Sequence, residues 1–185
     1  MKTELDAEDL LRRLGLAIKR INELEAEQKM DVDSMIQIKK SPTADTRTCD
    51  FASTSKETLL ASSHQHIEDV GKGLQWFRLM LHEAANVHDY DKISDIDGFH
   101  LDFLTGFKQT TWWDNHRKVN RHHLLEPDGV PQDVNLIDVL DMIADCVMAG
   151  MARSGSVYPL NIDPDVLMAA FQNTVEVLRA KVEVK

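Results

Sequence analysis

The sequence predicts an all-α fold. Three observations carry that expectation. Apolar residues recur at steps of three and four in several stretches, helix-start and helix-stop residues bracket those stretches, and none sustains the period-2 alternation of a strand. About five to seven helices follow, with no internal repeat.

The elements can be justified in order. Residues 1–30 read as an amphipathic helix: Thr3 and Asp6 make a capping-box signal with Asp in the acidic position, and Leu10, Leu14, Ile18, Ile21 and Leu24 form one apolar stripe. Residues 1–40 are therefore expected to be an N-terminal helical arm, which either packs on its own domain or joins copies into a homo-oligomer. Residues 41–57, rich in Ser, Thr, Asp and Ala, read as a long loop with Arg47 and Lys56 as its cations. A helical domain occupies 58–185. Its first helix spans Ser63 to Val87 on the stripe Ile67, Val70, Leu74, Phe77, Leu81 and Ala84, with Gly71 and Gly73 placed to weaken or bend it. A polar segment, HDYDKISDIDGFH, precedes a helix expected over 101–116, and RKVNRHHLLEPDGVPQD reads as a loop ended by turn residues. Asn135 is the expected N-cap of a helix to about Arg153, with Gly155 just past its end. Asp163-Pro164 opens the last helix, with Asp as cap and Pro as first helical residue.

Composition excludes several functions. The 185 residues carry a net charge of −10, which argues against long nucleic acids and anionic membranes as partners. No apolar run approaches the ~20 residues of a membrane span, and the opening MKTELDAEDLLRR lacks the apolar core of a secretory signal. Two cysteines, Cys49 and Cys146, make no disulfide framework, so a reducing cytoplasm is expected.

The eight histidines are the informative residues. His64, His66, His82, His88, His100, His116, His122 and His123 all fall in the middle third. Asp145 interrupts the apolar helix LIDVLDMIADCVMAGM, where a carboxylate is costly to bury unless paired or bound to metal. Asp138, Asp141 and Asp145 share a helix face, although Asp138 sits in the first turn where the dipole already favours an acid. A metal bound by neutral imidazoles and carboxylates would explain both the histidines and Asp145. Arg117, Lys118 and Arg121 form a basic cluster beside the histidine pair, read either as a phosphate-attracting patch or as a solvated face. Trp112 and Trp113 would stack on a nucleobase or fill the core.

The His88-Asp89 dipeptide, an upstream histidine and a downstream helical Asp resemble the H…HD…D pattern of the HD-domain metal-dependent phosphohydrolases. The text HDYDK resembles the HD-x-x-K variant, and HRKVNRHHLLEP is similar to the N-x-HH segment of small HD-like proteins of phages and bacteria, often of unassigned function. The order HD…K…HH…D also resembles the HD-GYP phosphodiesterases, without their GYP signature. The resemblance covers about residues 60–155. It implies an HD-like helical bundle in which His88, Asp89 and Asp145 hold a metal with His66 as the upstream histidine. His122 and His123, with His116 as a further candidate, would complete a second metal site or bind phosphate. Lys92 would neutralise a phosphate oxygen, with Arg117 or Arg121 stabilising the transition state, and Asp141 would orient the water. His66 and His88 lie 22 residues apart, ~33 Å along an unbroken helix, so they share a metal only if the chain turns between them.

The expected activity is that of a phosphohydrolase using one or two divalent transition-metal ions (Mn, Fe, Co, Ni or Zn) on a small phosphorylated substrate, a nucleotide. The alternative is a non-catalytic HD-like protein that binds a nucleotide or metal and acts through oligomer or partner contacts.

Overall fold

Capping chemistry sets most of the helix boundaries, and one short strand pair ties distant parts of the chain together. The structure, a computed structural model, describes residues 13–15, 31–108 and 110–185. Residues 35–185 form one compact unit and residues 1–34 another. Within the latter, 13–15 are helical, and the rest of the expected helix over 1–30 lies outside the described residues.

Six α-helices occur among the described residues, with two strands of three residues each, so the fold is all-α as expected. Strand β1 (Ile36–Ile38) falls in the stretch assigned to the helical arm. It pairs in parallel with β2 (Val182–Val184), Ile36 opposite Val182 and Ile38 opposite Val184. Strands this short cannot display a period-2 pattern, which is why none was legible.

Residues 41–55 are irregular, apart from a single turn at Thr46–Thr48 capped by the Asp45 carboxylate, while Lys56 and Glu57, expected to end the loop, already belong to the next helix. Arg47 is bound to that same carboxylate through Nε at 3.0 Å, so it is not a free cation. Helix α1 then runs unbroken from Lys56 to Val87, starting where Ser55 Oγ accepts from the Thr58 amide. Gly71 and Gly73 do not interrupt it. Each costs about 1 kcal/mol against Ala in a helix, less than the hydrogen bonds and packing that a break would forfeit. Buried Trp76 anchors one face of the helix.

At the C-terminal end of α1, His88 is the cap residue and Asp89 takes a left-handed φ of 53°, turning the chain. The segment read as polar and irregular is mostly helical: α2 (Asp91–Ser94) and α3 (Ile96–Leu104), the latter capped by Asp95. The single helix expected over 101–116 is split. Gly106 (φ 65°) and Phe107 (φ 62°) are both left-handed and end α3, and α4 (Trp112–Val119) begins after them. Fully buried Asp102 bridges the gap, its carboxylate accepting from the amides of Thr110 (3.3 Å) and Trp113 (3.0 Å). Burial works to raise its pKa, but these hydrogen bonds outweigh it and hold the carboxyl below its usual value.

Helices α5 (Leu136–Ser154) and α6 (Pro164–Lys181) follow the expectation closely. Asn135 and Asp138 complete a capping box, Gly155 closes α5 in the left-handed conformation, and Asp163 caps α6 ahead of Pro164. Thr174 Oγ1 accepts from the Leu136 amide at 2.8 Å and fastens α6 to the start of α5. Helix α1 packs on α5, α5 on α6 and α3 on α4. The core comprises Leu124, Val134, Val139, Met142 and Ala170, so it joins α5 and α6 to the loop after α4. Leu124 immediately follows the histidine pair. Its burial is what holds that part of the loop against α5. Among the described residues, no helix is long and apolar enough to cross a membrane.

Candidate metal centre

Three segments converge at one end of α1. The α1–α2 turn brings His88, Asp89, Asp91 and Lys92; α4 and the loop after it bring His116, Asn120, His122 and His123; the first turns of α5 bring Asp141 and Asp145. Two groups there have donor atoms within 4.8 Å of one another: His88, Asp89 and His122, and Asp89, His116 and His123. Asp89 is common to both.

The imidazoles are oriented by carboxylates. His88 Nδ1 donates to Asp141 Oδ1 at 2.8 Å, leaving Nε2 3.6 Å from Asp89 Oδ2 and 3.8 Å from Asp145 Oδ1. His116 Nδ1 donates to Asp91 Oδ2 at 2.8 Å, leaving Nε2 3.3 Å from Asp89 Oδ1. With Nδ1 of each ring held by its own carboxylate, Nε2 of both rings is turned towards Asp89, the arrangement in which a carboxylate orients an imidazole for a metal. His122 stacks on His88 with ring centroids 4.4 Å apart, its Nε2 3.6 Å from Asp89 Oδ1. Asn120 braces the turn, accepting from the Asp89 amide at 3.1 Å and donating to Asp91 Oδ1 at 3.0 Å.

Asp89 Oδ1, His116 Nε2 and His123 Nε2 are all buried without any hydrogen-bond partner. They belong to the three residues of the second group. A buried polar atom left unpaired costs about 1–3 kcal/mol, so three converging orphans, one anionic and two with lone pairs, fit a cation between them. The protonation states agree with this. Burial lowers the pKa of His122, and burial with the neighbouring His122 and His116 lowers His123 to about 4, so both rings are neutral ligands at neutral pH. Burial works to raise Asp89, but the Lys92 ammonium, donating to Oδ2 at 2.5 Å, outweighs it and keeps the carboxyl below its usual value.

Of the expected site residues, His88, Asp89, His116, His122, His123, Asp141 and Asp145 come together. His66 does not. Because α1 is unbroken, His66 stays far from His88, exposed, with Nδ1 3.8 Å from Asp45 Oδ2. The three expected phosphate-binding cations are each engaged with carboxylates: Lys92 with Asp89, Arg117 with Asp114 and Asp128, and Arg121 with Asp133 and Asp138. Asp141, expected to orient water, holds the His88 ring instead. Asp91 and Asn120 were missed by sequence reading. Their role depends on contacts 25 and 29 residues apart in the chain, which no local pattern reveals.

Two hollows flank the cluster, and His122 lines both. The smaller, about 250 Å³, is bounded by His88, Arg121, Asp138 and Asp141. The larger, about 460 Å³, is bounded by His123 and Asp145 with Phe107, Trp113, Leu125 and Met142. Compared with known proteins, the chain matches no family model, no curated protein and no solved structure.

Proposed function

We propose that this protein is a metal-dependent phosphohydrolase acting on a nucleotide, with its ions held by His88, Asp89, His122 and Asp145 on one side and by Asp89, His116 and His123 on the other. One observation carries the reading: three buried donors without partners converge, and one of them, Asp89, also faces a second imidazole pair.

The mixed imidazole and carboxylate set suits Mn, Fe, Co, Ni or Zn better than Ca or Mg. When bound, such an ion supplies a Lewis acid for a phosphoryl oxygen and lowers the pKa of water towards neutrality. The remaining work belongs to the chain's own side chains. Asp141 and Asp91 fix the tautomers of His88 and His116 and strengthen them as ligands. Asn120 holds the strained Asp89 backbone in place. Lys92 keeps Asp89 ionised, and would move towards a phosphate only by giving up that ion pair.

The engagement of Lys92, Arg117 and Arg121 with carboxylates favours a second reading, a protein that binds metal or nucleotide without turning it over. One experiment separates the two. The protein is purified without added metal, its transition metals are measured by elemental analysis, and phosphate release from a nucleotide panel is followed with and without Mn. Bound metal and Mn-dependent release, abolished in a His88→Ala/Asp89→Ala variant, is the expected result. Metal without turnover would favour the binding protein, and a chain without metal, with no difference from the His88→Ala/Asp89→Ala variant, would sink the phosphohydrolase reading.

A further inference from the structure

We propose that the hollow of about 460 Å³ beside His122, His123 and Asp145 holds the organic part of the substrate, and that this substrate carries a single phosphoryl group and a flat, non-anionic ring. The proposal rests on the phosphohydrolase reading above.

Position comes first. His122, His123 and Asp145 form the wall that the hollow shares with the metal centre. A phosphoryl group held at the centre therefore directs its substituent towards Phe107, Trp113, Leu125 and Met142. Those four side chains give the hollow an apolar, partly aromatic part beside the polar Asp114, Arg117 and Glu126, and the volume lies in the range of small-molecule sites, roughly 300–1,000 Å³.

Phe107 is the second observation. It stands at φ 62° directly after Gly106 at 65°, a conformation that a bulky side chain adopts rarely and at a cost. Its amide donates to the Asp102 carbonyl at 2.9 Å, which fixes the turn. The strained residue is also the one that lines the hollow, its ring centroid 4.9 Å from that of Trp113 and its surface part-exposed. Trp112 takes no part in that wall: its Nε1 donates to Asp95 and its ring packs on Phe99.

Charge restricts what can accompany the ring. Among the described residues, Arg117 is the only cation lining this hollow, and its guanidinium is bound to Asp114 and Asp128, with Glu126 also on the wall. Arg121, the only cation among the described residues that line the smaller hollow, is bound to Asp133 and Asp138. Among the described residues, phosphate charge is thus met at the metal centre and not by the cations of the hollows. A second or third phosphoryl group reaching into either hollow would face carboxylates without compensation, and so would an anionic ring.

The test uses the full-length, Mn-loaded protein, with metal content measured in every sample. Calorimetry compares phenylphosphonate with methylphosphonate, neither of which can be hydrolysed. Phenylphosphonate is expected to bind about tenfold more tightly, from ring burial and stacking. Phe107→Gly keeps the left-handed turn without strain and should bring the two dissociation constants together. In excess Mn, phenyl phosphate should be turned over with a kcat/KM at least about tenfold above that of pyrophosphate. Equal affinities in the wild type, an unchanged ratio in Phe107→Gly, or a preference for pyrophosphate would each overturn the proposal while leaving a metal-loaded phosphohydrolase standing. A protein without bound metal would overturn the parent reading and this one together.

Discussion

Asp89 shows how much of the site rests on one residue. Its left-handed backbone costs about 1–3 kcal/mol for a non-glycine residue, and the Asn120 side chain holds it there. That conformation turns Oδ1 towards His116 and His122 and Oδ2 towards His88 and Lys92, so a single carboxylate serves both donor groups. The groups differ in access. Asp89 Oδ1, His116 Nε2 and His123 Nε2 are sealed from solvent, although the His123 ring also borders the larger hollow, whereas His88, His122 and Asp145 are part-exposed or border the hollows without such sealed atoms. Closed sites retain their ions and open ones exchange them. Elemental analysis should therefore find about two ions per wild-type chain, one leaving slowly and one quickly in chelator. His123→Ala should lose the slow one, and Asp89→Asn close to both. An Asp89→Asn protein that keeps its full metal content would refute the shared-ligand arrangement.

At the scale of elements, the histidine pair owes its position to the short turn that follows it. A Cβ on Gly129, in the Pro127–Gly129 turn, would lie 2.3 Å from the His123 carbonyl oxygen, and backbone cannot yield as a side chain can. Gly129→Ala is thus expected to displace His123, lowering the melting temperature by several degrees and releasing the slowly exchanging ion. Near-ultraviolet dichroism and elemental analysis would register both, and an unchanged metal content would show that the turn does not position the pair. This contact also marks the limit of what the sequence reveals. The ends of α5 and α6 were legible because Asn135, Gly155, Asp163 and Pro164 act on their immediate neighbours. The break after α3 was not, because it depends on Phe107 accepting strain and on Asp102 reaching across to Thr110 and Trp113. The HD-like pattern singled out His88, Asp89, His122 and His123, and it placed His66 with them only if the chain turned between His66 and His88, which thirty-two residues of cooperative helix do not allow despite Gly71 and Gly73.

For the molecule as a whole, net charge and a metal-loaded cluster would pull in opposite directions on a phosphate. The chain carries −10, and four of its carboxylates, Asp89, Asp91, Asp141 and Asp145, are gathered in one cluster in which, among the described residues, Lys92 is the paired cation. Without metal this end of the protein repels anions, and the engaged Arg117 and Arg121 do little to relieve it. Two divalent ions would reverse the local sign while leaving the chain acidic overall, so anion binding should depend wholly on metal rather than be modestly improved by it. The test is thermal unfolding of metal-free and Mn-loaded protein with and without inorganic phosphate. A ligand that binds only the native state raises the midpoint in proportion to its occupancy. Phosphate is expected to raise it for the loaded protein, with an effect that weakens as salt is added, and to leave the metal-free protein unshifted. Equal stabilisation of both forms would mean that fixed cations bind the anion, contrary to the pairing of Lys92, Arg117 and Arg121.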